Sequence, residues 1–454
     1  MSRPRILLMS RTLRRDLPSY YVLKKIIEAK SGAAVVVCSQ RSVFYYLRHW
    51  RPQALVYPCC GDTPDFAPYA PGVQLFCYSG EGGEDASHYD ERFFCAFPEY
   101  LDAVRRILVW GENTKRQLLD DEAKAHQGRY RDVLENDKVR VVGHPRLDLA
   151  RYFPGRAPRR SIGICTHFFT LNNFRGDSAL HLSFGRADVV SALEFEVELL
   201  GMVTKIIDYL VAETDYAVSV RPYPLEAPQM YKVHRGGKAC FYNTAYEGRV
   251  SVDDHLDFPG WAAGQDIVLS SVTTALGEAC LLGVPMLFID KLLARTHGFA
   301  YYNSINELLG KVACAPKKFD ELTHYIENPA SVPFDADAMT AFMARYYSTH
   351  LPGAALERVA DIVLADVQSA GPSGGFHIPA AAVAVRDWVN FGLERMGDPL
   401  CANFNYLPGY HRIPEYYDRI AANILAHRET SPYPMRPQQG AVAGETRVAE
   451  VHAP

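Results

Sequence analysis

Short apolar runs alternate with longer amphipathic stretches through the first 150 residues of the chain. The short runs, typical of buried strands, are Arg5–Met9, Ala33–Cys38, Ala54–Tyr57, Val73–Tyr78, Arg106–Val109 and Val139–Val142. The amphipathic stretches, typical of helices, are Tyr20–Ala29, Val43–His49, Phe97–Val104 and Thr114–Leu119. Strands that alternate with helices predict a parallel sheet covered on both faces. We therefore expect one complete α/β domain over residues 1–151.

A second series of the same kind follows a segment rich in proline and arginine. That segment, Tyr152–Arg160 (YFPGRAPRR), has no apolar period and is interpreted as a linker. Strand-like runs then occur at Ser161–Cys165, Tyr216–Val220, Asp266–Leu269 and Pro285–Asp290, with helix-like ones at Ala192–Leu210 and Thr273–Leu282. The pattern predicts a second doubly wound α/β domain over residues 161–365. Ligand is expected in the cleft between the domains, at the carboxyl ends of strands.

The character of the chain changes after about Gly353. Helical pieces at Ala355–Val367, Ala380–Arg395 and Pro414–His427 are separated by turns rich in glycine, proline and tyrosine. We expect a helical extension over residues 366–429. Residues 430–454 have little apolar surface to bury, so a disordered tail is expected there.

Composition narrows the classes of function. The formal net charge of -4 argues against a nucleic-acid partner held by a general positive field. No run reaches the roughly 18 to 20 apolar residues that a bilayer span needs, and MSRPRILLMSRTLRR does not resemble a signal peptide. We expect a cytoplasmic protein, at most peripherally attached to the inner face of the membrane. The ten cysteines show no Cys-x-x-Cys pair, so neither a zinc site nor a disulfide framework is indicated.

Four hydroxyl side chains gather at a predicted strand-to-helix turn of the second domain. They are Ser270, Ser271, Thr273 and Thr274. Free backbone N–H groups and the helix dipole favour an anion at such a turn, and hydroxyls add donors to phosphate oxygens. Glu278 follows one turn into the predicted helix, where its carboxylate could accept hydrogen bonds from ribose. Helix capping would explain one hydroxyl and leave the others unexplained, so we favour a phosphate site.

Two further loops of the second domain carry candidate ligand contacts. Ile162–Asp177 (IGICTHFFTLNNFRGD) contains His167, Asn173 and Asp177, and Asp188 follows in the same connection. Val218–Glu226 (VSVRPYPLE) contains Arg221, Tyr223, Pro224 and Glu226. Its two prolines fix a loop that can present a guanidinium or an aromatic ring to a nucleotide. Each of these residues could also be an ordinary turn residue, and Arg221 could pair with a surface carboxylate.

An acidic, glycine-rich loop follows a predicted strand of the first domain. It reads YSGEGGED from Tyr78. Glu81 or Glu84, placed at the cleft, could remove a proton from an acceptor hydroxyl. The spacing is not G-x-G-x-x-G, so a dinucleotide fingerprint is not indicated.

Several segments together resemble a known family. They are Val141–Leu149 (VVGHPRLDL), the I-x-T-x-F-x-x-x-N pattern from Ile164, the RPYPLE loop and THLPGAALERVADIV. Over residues 1–365 the chain is similar to bacterial GT-B glycosyltransferases, and more narrowly to surface-carbohydrate proteins that include retaining β-Kdo transferases. The resemblance implies the GT-B fold: two Rossmann-like doubly wound domains, here with a helical C-terminal extension and with the nucleotide-sugar bound by the second domain.

The resemblance also implies a reaction. CMP-sugar transferases of this architecture share three motifs, which Glu81-Gly82, Tyr223-Pro224 and Ser270-Ser271 match here, with Tyr223 in place of the expected histidine. The implied activity transfers a sugar, Kdo from CMP-Kdo, to a saccharide or lipid-linked acceptor. A retaining enzyme needs a carboxylate nucleophile, for which Asp188 is the first choice and Asp177 the second. GT-B enzymes generally work without a metal, so neither a cofactor nor a metal is expected.

Two other functions stay open at this point. A CDP-polyol phosphotransferase would need a histidine-rich centre, and His144, His167 and His255 form no obvious motif with the other histidines. A non-catalytic polysaccharide-assembly protein would keep the fold and lack the nucleophile.

Overall fold

A computed structural model describes residues 3–11, 14–40, 42–58, 63–69, 71–78, 101–168, 171, 187–222, 246, 248–253, 255–271, 273–293, 312–369, 378–385 and 413–432. The strands in these ranges are β1 (Arg5–Ser10), β2 (Ala34–Ser39), β3 (Ala54–Tyr57), β4 (Gln74–Tyr78), β5 (Val104–Val109), β6 (Val139–Val141), β7 (Ser161–Cys165), β8 (Ala217–Arg221), β9 (Val250–Val252), β10 (Ile267–Ser270) and β11 (Met286–Phe288).

The strands form two parallel sheets. The first has the order β2-β1-β3-β4-β5-β6 and the second β11-β10-β7-β8-β9, and all the neighbouring strands are parallel. In each sheet the first strand lies inside the sheet, because the chain builds outward on one side and then returns to the other. These two doubly wound α/β units confirm the predicted fold class.

Helices connect and cover the strands. Those described are α1 (Leu17–Ser31), α2 (Val43–Tyr45), α3 (Thr63–Phe66), α4 (Glu112–His126), α5 (Arg131–Val133), α6 (Pro145–Arg151), α7 (Ala187–Glu213), α8 (Phe258–Ala262), α9 (Leu276–Leu282), α10 (Phe319–Glu327), α11 (Ala336–Tyr347), α12 (Ala355–Ser369) and α13 (Tyr416–Leu425). The C-terminal helices α12 and α13 both pack against α1 of the first sheet. The chain therefore returns to the first domain after completing the second.

Several elements differ from the sequence prediction, which does not include helices α6, α8, α10 and α11. The helix predicted over Phe97–Val104 is wrong where the structure describes it, because residues 101–103 form a turn and Val104 begins β5. The apolar residues Leu101, Val104 and Ile107 are spaced like a helical face, so the sequence predicts this strand only from Arg106 onward. Strand β9 was not predicted. It has only three residues at the edge of the second sheet, too few to show a period.

A continuous apolar core joins the two sheets. Val56 and Phe76 on one face of the first sheet belong to the same buried cluster as Val268 and Phe288 of the second. Helices α6, α9, α11, α12 and α13 supply the residues between them. The opposite faces of the two sheets have separate cores. The side on which the chain passes between domains is therefore closed by apolar packing.

Two of the segments that carried the family resemblance meet at this junction, although they lie about 200 residues apart in the chain. The buried Asp148 carboxylate accepts a hydrogen bond from the Leu356 backbone N–H at 2.8 Å. The Arg358 guanidinium donates to the Val142 carbonyl oxygen through Nε at 2.9 Å and Nη2 at 2.7 Å. Burial raises the pKa of Asp148 to about 6. These contacts dock the start of α12 on the first domain.

Gly143 is the tightest point of that junction, and we expect Gly143→Ala to destabilise the protein strongly. Gly143 has a φ of +94°, and an added Cβ would lie 2.7 Å from Arg358 Nη2 and 3.1 Å from the Ala355 Cβ. Gly128 has a φ of +79° and open space around it, so Gly128→Ala isolates the cost of the backbone conformation, about 1 to 2 kcal/mol. Overpacking should add about 1 to 3 kcal/mol at Gly143. Urea unfolding of both variants measures the difference, and equal losses would contradict a tight junction.

Candidate functional site

Three neighbouring strands of the second sheet end in one row of side chains. In the parallel register Ser270 of β10 pairs with Cys165 of β7, and Cys165 pairs with Arg221 of β8. Since neighbouring strands lie about 4.8 Å apart, the Cα atoms of Ser270 and Arg221 are roughly 10 Å apart. The chain leaves β7 toward β8 and returns on its other side at β10. Doubly wound sheets bind ligands at the carboxyl ends of strands at such a reversal.

The four predicted hydroxyl groups lie beside this row. Ser270 and Ser271 are buried, whereas Thr273 and Thr274 are half-buried. The predicted helix start at Thr273 is wrong, because α9 begins at Leu276 and the residues before it form a turn. In that turn Thr273 Oγ1 accepts a hydrogen bond from the Ala275 N–H at 3.3 Å. A local hydrogen bond within the turn thus accounts for Thr273, and the hydroxyls line a turn that follows the strand.

Glu278 is buried next to this turn. It is 4% exposed, and in the part of the chain that the structure describes no group hydrogen-bonds to its carboxyl group. Burial raises the pKa of Glu278 to about 7, against the opposing influence of the Arg146 and Arg221 guanidinium groups. Arg146 belongs to α6 of the first domain and Arg221 to the second sheet. A carboxyl group that titrates near neutral pH therefore lies within the electrostatic reach of both domains.

The G-H-P-R segment places Arg146 at the site. His144 caps α6 by accepting a hydrogen bond from the Arg146 backbone N–H on Nδ1, at 3.1 Å. Its ring stacks on Trp110 with the centroids 3.7 Å apart, and the Arg146 guanidinium lies 5.5 Å from the centroid of the same indole ring. Burial, assisted by Arg146, lowers the pKa of His144 well below its usual value. His144 is therefore a neutral structural residue that holds Arg146 in place.

A second cluster lies at the carboxyl end of β9. The buried Asp253 carboxylate pairs with the Arg221 guanidinium. The other carboxylate oxygen, Oδ1, lies 2.5 Å from His255 Nδ1 and accepts from the His255 backbone N–H at 2.9 Å. Burial alone would raise the pKa of Asp253, but Arg221, His255 and Arg14 hold it below the usual value. Arg221 thus pairs with a buried carboxylate, in place of the surface partner that the sequence left open.

The first domain touches this cluster directly. Arg14 follows β1, and its Nη2 donates to the Asp253 carbonyl oxygen at 3.0 Å. The first sheet reverses its strand order between β1 and β3, so Arg14 belongs to the loop at that reversal. The carboxyl ends of the two sheets therefore face each other where Arg14 meets Asp253, which defines the cleft.

The remaining predicted residues have different positions. His167 is half-buried after β7, and burial lowers its pKa to about 4, so its imidazole is neutral at pH 7. Asp188 is in the first turn of α7, where the structure describes its backbone but not its side chain. The predicted residues that lie outside the described ranges are Glu81, Glu84, Asn173, Asp177, Tyr223, Pro224 and Glu226.

The described ranges contain neither a candidate membrane-spanning helix nor a candidate metal-binding cluster. No helix there is long and apolar enough to cross a membrane. Within the same ranges no three His, Cys, Asp or Glu side chains come together in a way that could hold a metal ion.

Glu278 provides a pH-dependent test. The pKa of Glu278 is higher in the folded than in the unfolded state. At a pH above the unfolded-state pKa, the buried carboxylate therefore lowers the stability of the protein, and at a pH below that pKa this loss disappears. We expect Glu278→Gln to raise the free energy of unfolding at pH 8 by up to about 3 kcal/mol and to leave it nearly unchanged at pH 4.5. Urea unfolding at the two pH values measures this. Glu213→Gln, at the exposed end of α7, should show no such pH dependence. Equal stability of Glu278→Gln and wild type at pH 8 would contradict the buried carboxylate.

Comparisons with known proteins concern only the fold. No family model and no curated protein matches the chain. Similar solved structures include UDP-GlcNAc 2-epimerase from Methanocaldococcus jannaschii, at 12% identity over 80% of this chain and 100% of that chain, with a TM-score of 0.43. The glycotransferase of kitacinnamycin has 14% identity over 81% of this chain and 100% of that chain, with a TM-score of 0.42. The wall teichoic acid polymerase TagF has 12% identity over 81% of this chain and 90% of that chain, with a TM-score of 0.47. The fold assignment rests on the two sheets described above.

Proposed function

We propose that the chain is a glycosyltransferase of bacterial surface polysaccharide biosynthesis. It transfers a sugar, Kdo from CMP-Kdo, to a saccharide or lipid-linked acceptor. The observation that carries the proposal is the convergence of polar groups on the cleft: Arg221 and Ser270 end strands of the second sheet, while Arg146 and Arg14 reach the same place from the first domain.

The cleft has the groups that a nucleotide-activated sugar needs. A leaving phosphate carries negative charge, which guanidinium groups and hydroxyl donors stabilise without a metal. Ser270, Ser271 and Thr274 supply hydroxyls, and Arg146 supplies charge from the opposite domain. Glu278 is proposed to contact the ribose, accepting hydrogen bonds when ionised and donating one when protonated.

The proposal assigns roles to residues outside the described ranges as well. Tyr223, Pro224 and Glu226 continue the loop that begins at Arg221, and with His167 and Asn173 they are proposed to contact the nucleotide. Asp188 or Asp177 is the proposed nucleophile of a retaining reaction, and Glu81 a proposed base. A separate metal or cofactor is not part of the proposal.

Nucleotide binding tests the function most directly. Thermal unfolding with CMP, CDP, UDP and GDP should show stabilisation by CMP above the others, about 2.7 kcal/mol at 100 times the dissociation constant. Incubation with CMP-Kdo and an oligosaccharide acceptor should then release CMP and yield a Kdo-extended product. Stabilisation by none of the four nucleotides would refute a nucleotide-dependent transferase and favour a non-catalytic assembly protein.

A second candidate function is favoured by one observation. A CDP-polyol phosphotransferase needs a histidine at its centre, and His255 is held by a buried carboxylate beside the cleft. CDP-glycerol and CMP-Kdo as alternative donors separate the two candidates. Consumption of CDP-glycerol with formation of a phosphodiester would favour the phosphotransferase.

A further inference from the structure

The pairing of Asp253 with His255 has the geometry of a proton-transfer pair. Asp253 Oδ1 lies 2.5 Å from His255 Nδ1, and the same oxygen fixes the His255 backbone N–H at 2.9 Å. A carboxylate at Nδ1 favours the tautomer in which Nδ1 carries the proton, so that Nε2 has the lone pair. The Asp253 side chain is 0% exposed and the His255 side chain 46% exposed. The ring is anchored on Asp253 through Nδ1, and almost half of its side chain is exposed to solvent.

The surroundings place this ring at the cleft and keep its partner ionised. Arg221, at the end of β8, pairs with the second oxygen of Asp253 and also donates to the His255 carbonyl oxygen at 3.2 Å. Arg14, after β1, donates to the Asp253 carbonyl oxygen from the opposite domain. Among the described residues, Arg221 of β8 and Arg14 of the first domain are the cations that act on Asp253. Two cations beside one carboxylate hold it in the charged form.

We propose that His255 is the catalytic base that accepts the proton of the acceptor hydroxyl, with Asp253 and Arg221 as positioning residues; this rests on the proposed glycosyl transfer. The acceptor O–H bond breaks and its proton passes to Nε2, while the acceptor oxygen bonds to the anomeric carbon. The bond from that carbon to its leaving oxygen breaks, and the electron pair leaves with the nucleotide phosphate in a single displacement or with the enzyme carboxylate in a double one. His255 takes the role for which the sequence suggested Glu81.

Kinetics of CMP release from CMP-Kdo in the presence of acceptor test the base. General-base catalysis is worth about 10² to 10⁴-fold, so His255→Gln should lower kcat by about that factor and leave the donor KM unchanged. Asp253→Asn should lower kcat less and displace the acidic limb of the kcat profile against pH. The matched control is His324→Gln, an exposed histidine on α10 of the same domain, which should keep the wild-type kcat. Wild-type kcat in His255→Gln would overturn the proposal.

Long-range proton–nitrogen NMR of the histidine rings gives a readout that is independent of turnover. The signal of His255 is the one missing in His255→Gln. When the ring is neutral, this signal should show Nδ1 protonated in wild type, and Asp253→Asn should lose this preference. A ring with Nε2 protonated and Nδ1 bare would overturn the pair even if His255→Gln were inactive. If wild type turns over no nucleotide-sugar, the proposed function and the base role fail together. Normal transfer by His255→Gln refutes the base alone.

Discussion

Replacing Ser270, Ser271, Thr273 and Thr274 together with Ala should abolish nucleotide binding while the protein still folds. A hydrogen bond to a charged group is worth about 1.5 to 3 kcal/mol. Loss of two or three such bonds to phosphate therefore weakens binding by about 10²-fold or more. The cost to folding is smaller, since the loss of one cap removes about 1 kcal/mol. Isothermal titration with CMP, alongside thermal unfolding, separates the two effects.

Two controls sharpen this experiment. Thr273→Ala alone removes the hydroxyl that accepts from the Ala275 N–H, so it should reduce stability more than binding. The double variant Thr323→Ala and Ser331→Ala removes hydroxyls on and just after α10 that donate to the local carbonyl oxygens of Asp320 and Asn328. That variant should bind CMP like wild type. Normal binding by the quadruple variant would show that the turn is not a phosphate site.

The two sheets could be predicted because their strands are buried on both faces. Runs such as Ile6 to Met9 and Ile267 to Leu269 are apolar at every position, which is typical of parallel strands between helical layers. The short edge strand β9 has a partly exposed Val252 and an exposed Ser251, so no apolar run marks it. The hydrophobic pattern thus predicted the central strands of the second sheet but not its edge strand β9.

The candidate site could be predicted only in part, for a related reason. Ser270 and Arg221 directly follow apolar runs, so their place at strand ends is visible in the sequence. Arg14 and Arg146 reach the cleft through contacts between distant segments, and no local pattern indicates them. In the sequence, His255 is one of several histidines that form no obvious motif with one another. A carboxylate two residues before a histidine, just after a strand, was the available signal, but the strand itself was not recognised.

The motif around His144 shows a different limit of sequence reasoning. His144 is buried, neutral and stacked on Trp110, and its Nδ1 accepts a hydrogen bond from the Arg146 backbone N–H. Asp148, in the same motif, binds the start of α12. The resemblance located a segment that matters to this fold, and only the contacts show that its histidine and aspartate act on the structure.

The nucleophile of the proposed reaction is where the largest effect on turnover is expected. By its topology, α7 begins at the edge of the sheet where β7 ends, since it follows that strand, and Asp188 is in its first turn. An aspartate there also stabilises a helix through the helix dipole, by about 0.3 to 1 kcal/mol. The two roles are distinguishable, because a dipole partner affects stability and a nucleophile affects turnover. Asp177, in the connection before the helix, is the second choice.

We expect Asp188→Ala to lower turnover by at least about 10⁴-fold while donor binding persists, because a retaining double displacement cannot proceed without its covalent intermediate. Intact-mass spectrometry after incubation with CMP-Kdo should show a glycosyl adduct on wild type and none on the inactive variant. Glu194→Gln, an exposed carboxylate farther along α7, is the matched control and should form the adduct. Loss of the adduct in Asp177→Ala instead would move the role to Asp177. Full activity in both aspartate variants would overturn the assignment. A product of inverted configuration would remove the need for any nucleophile, leaving the acceptor to be activated by His255 or Glu81 in a single displacement.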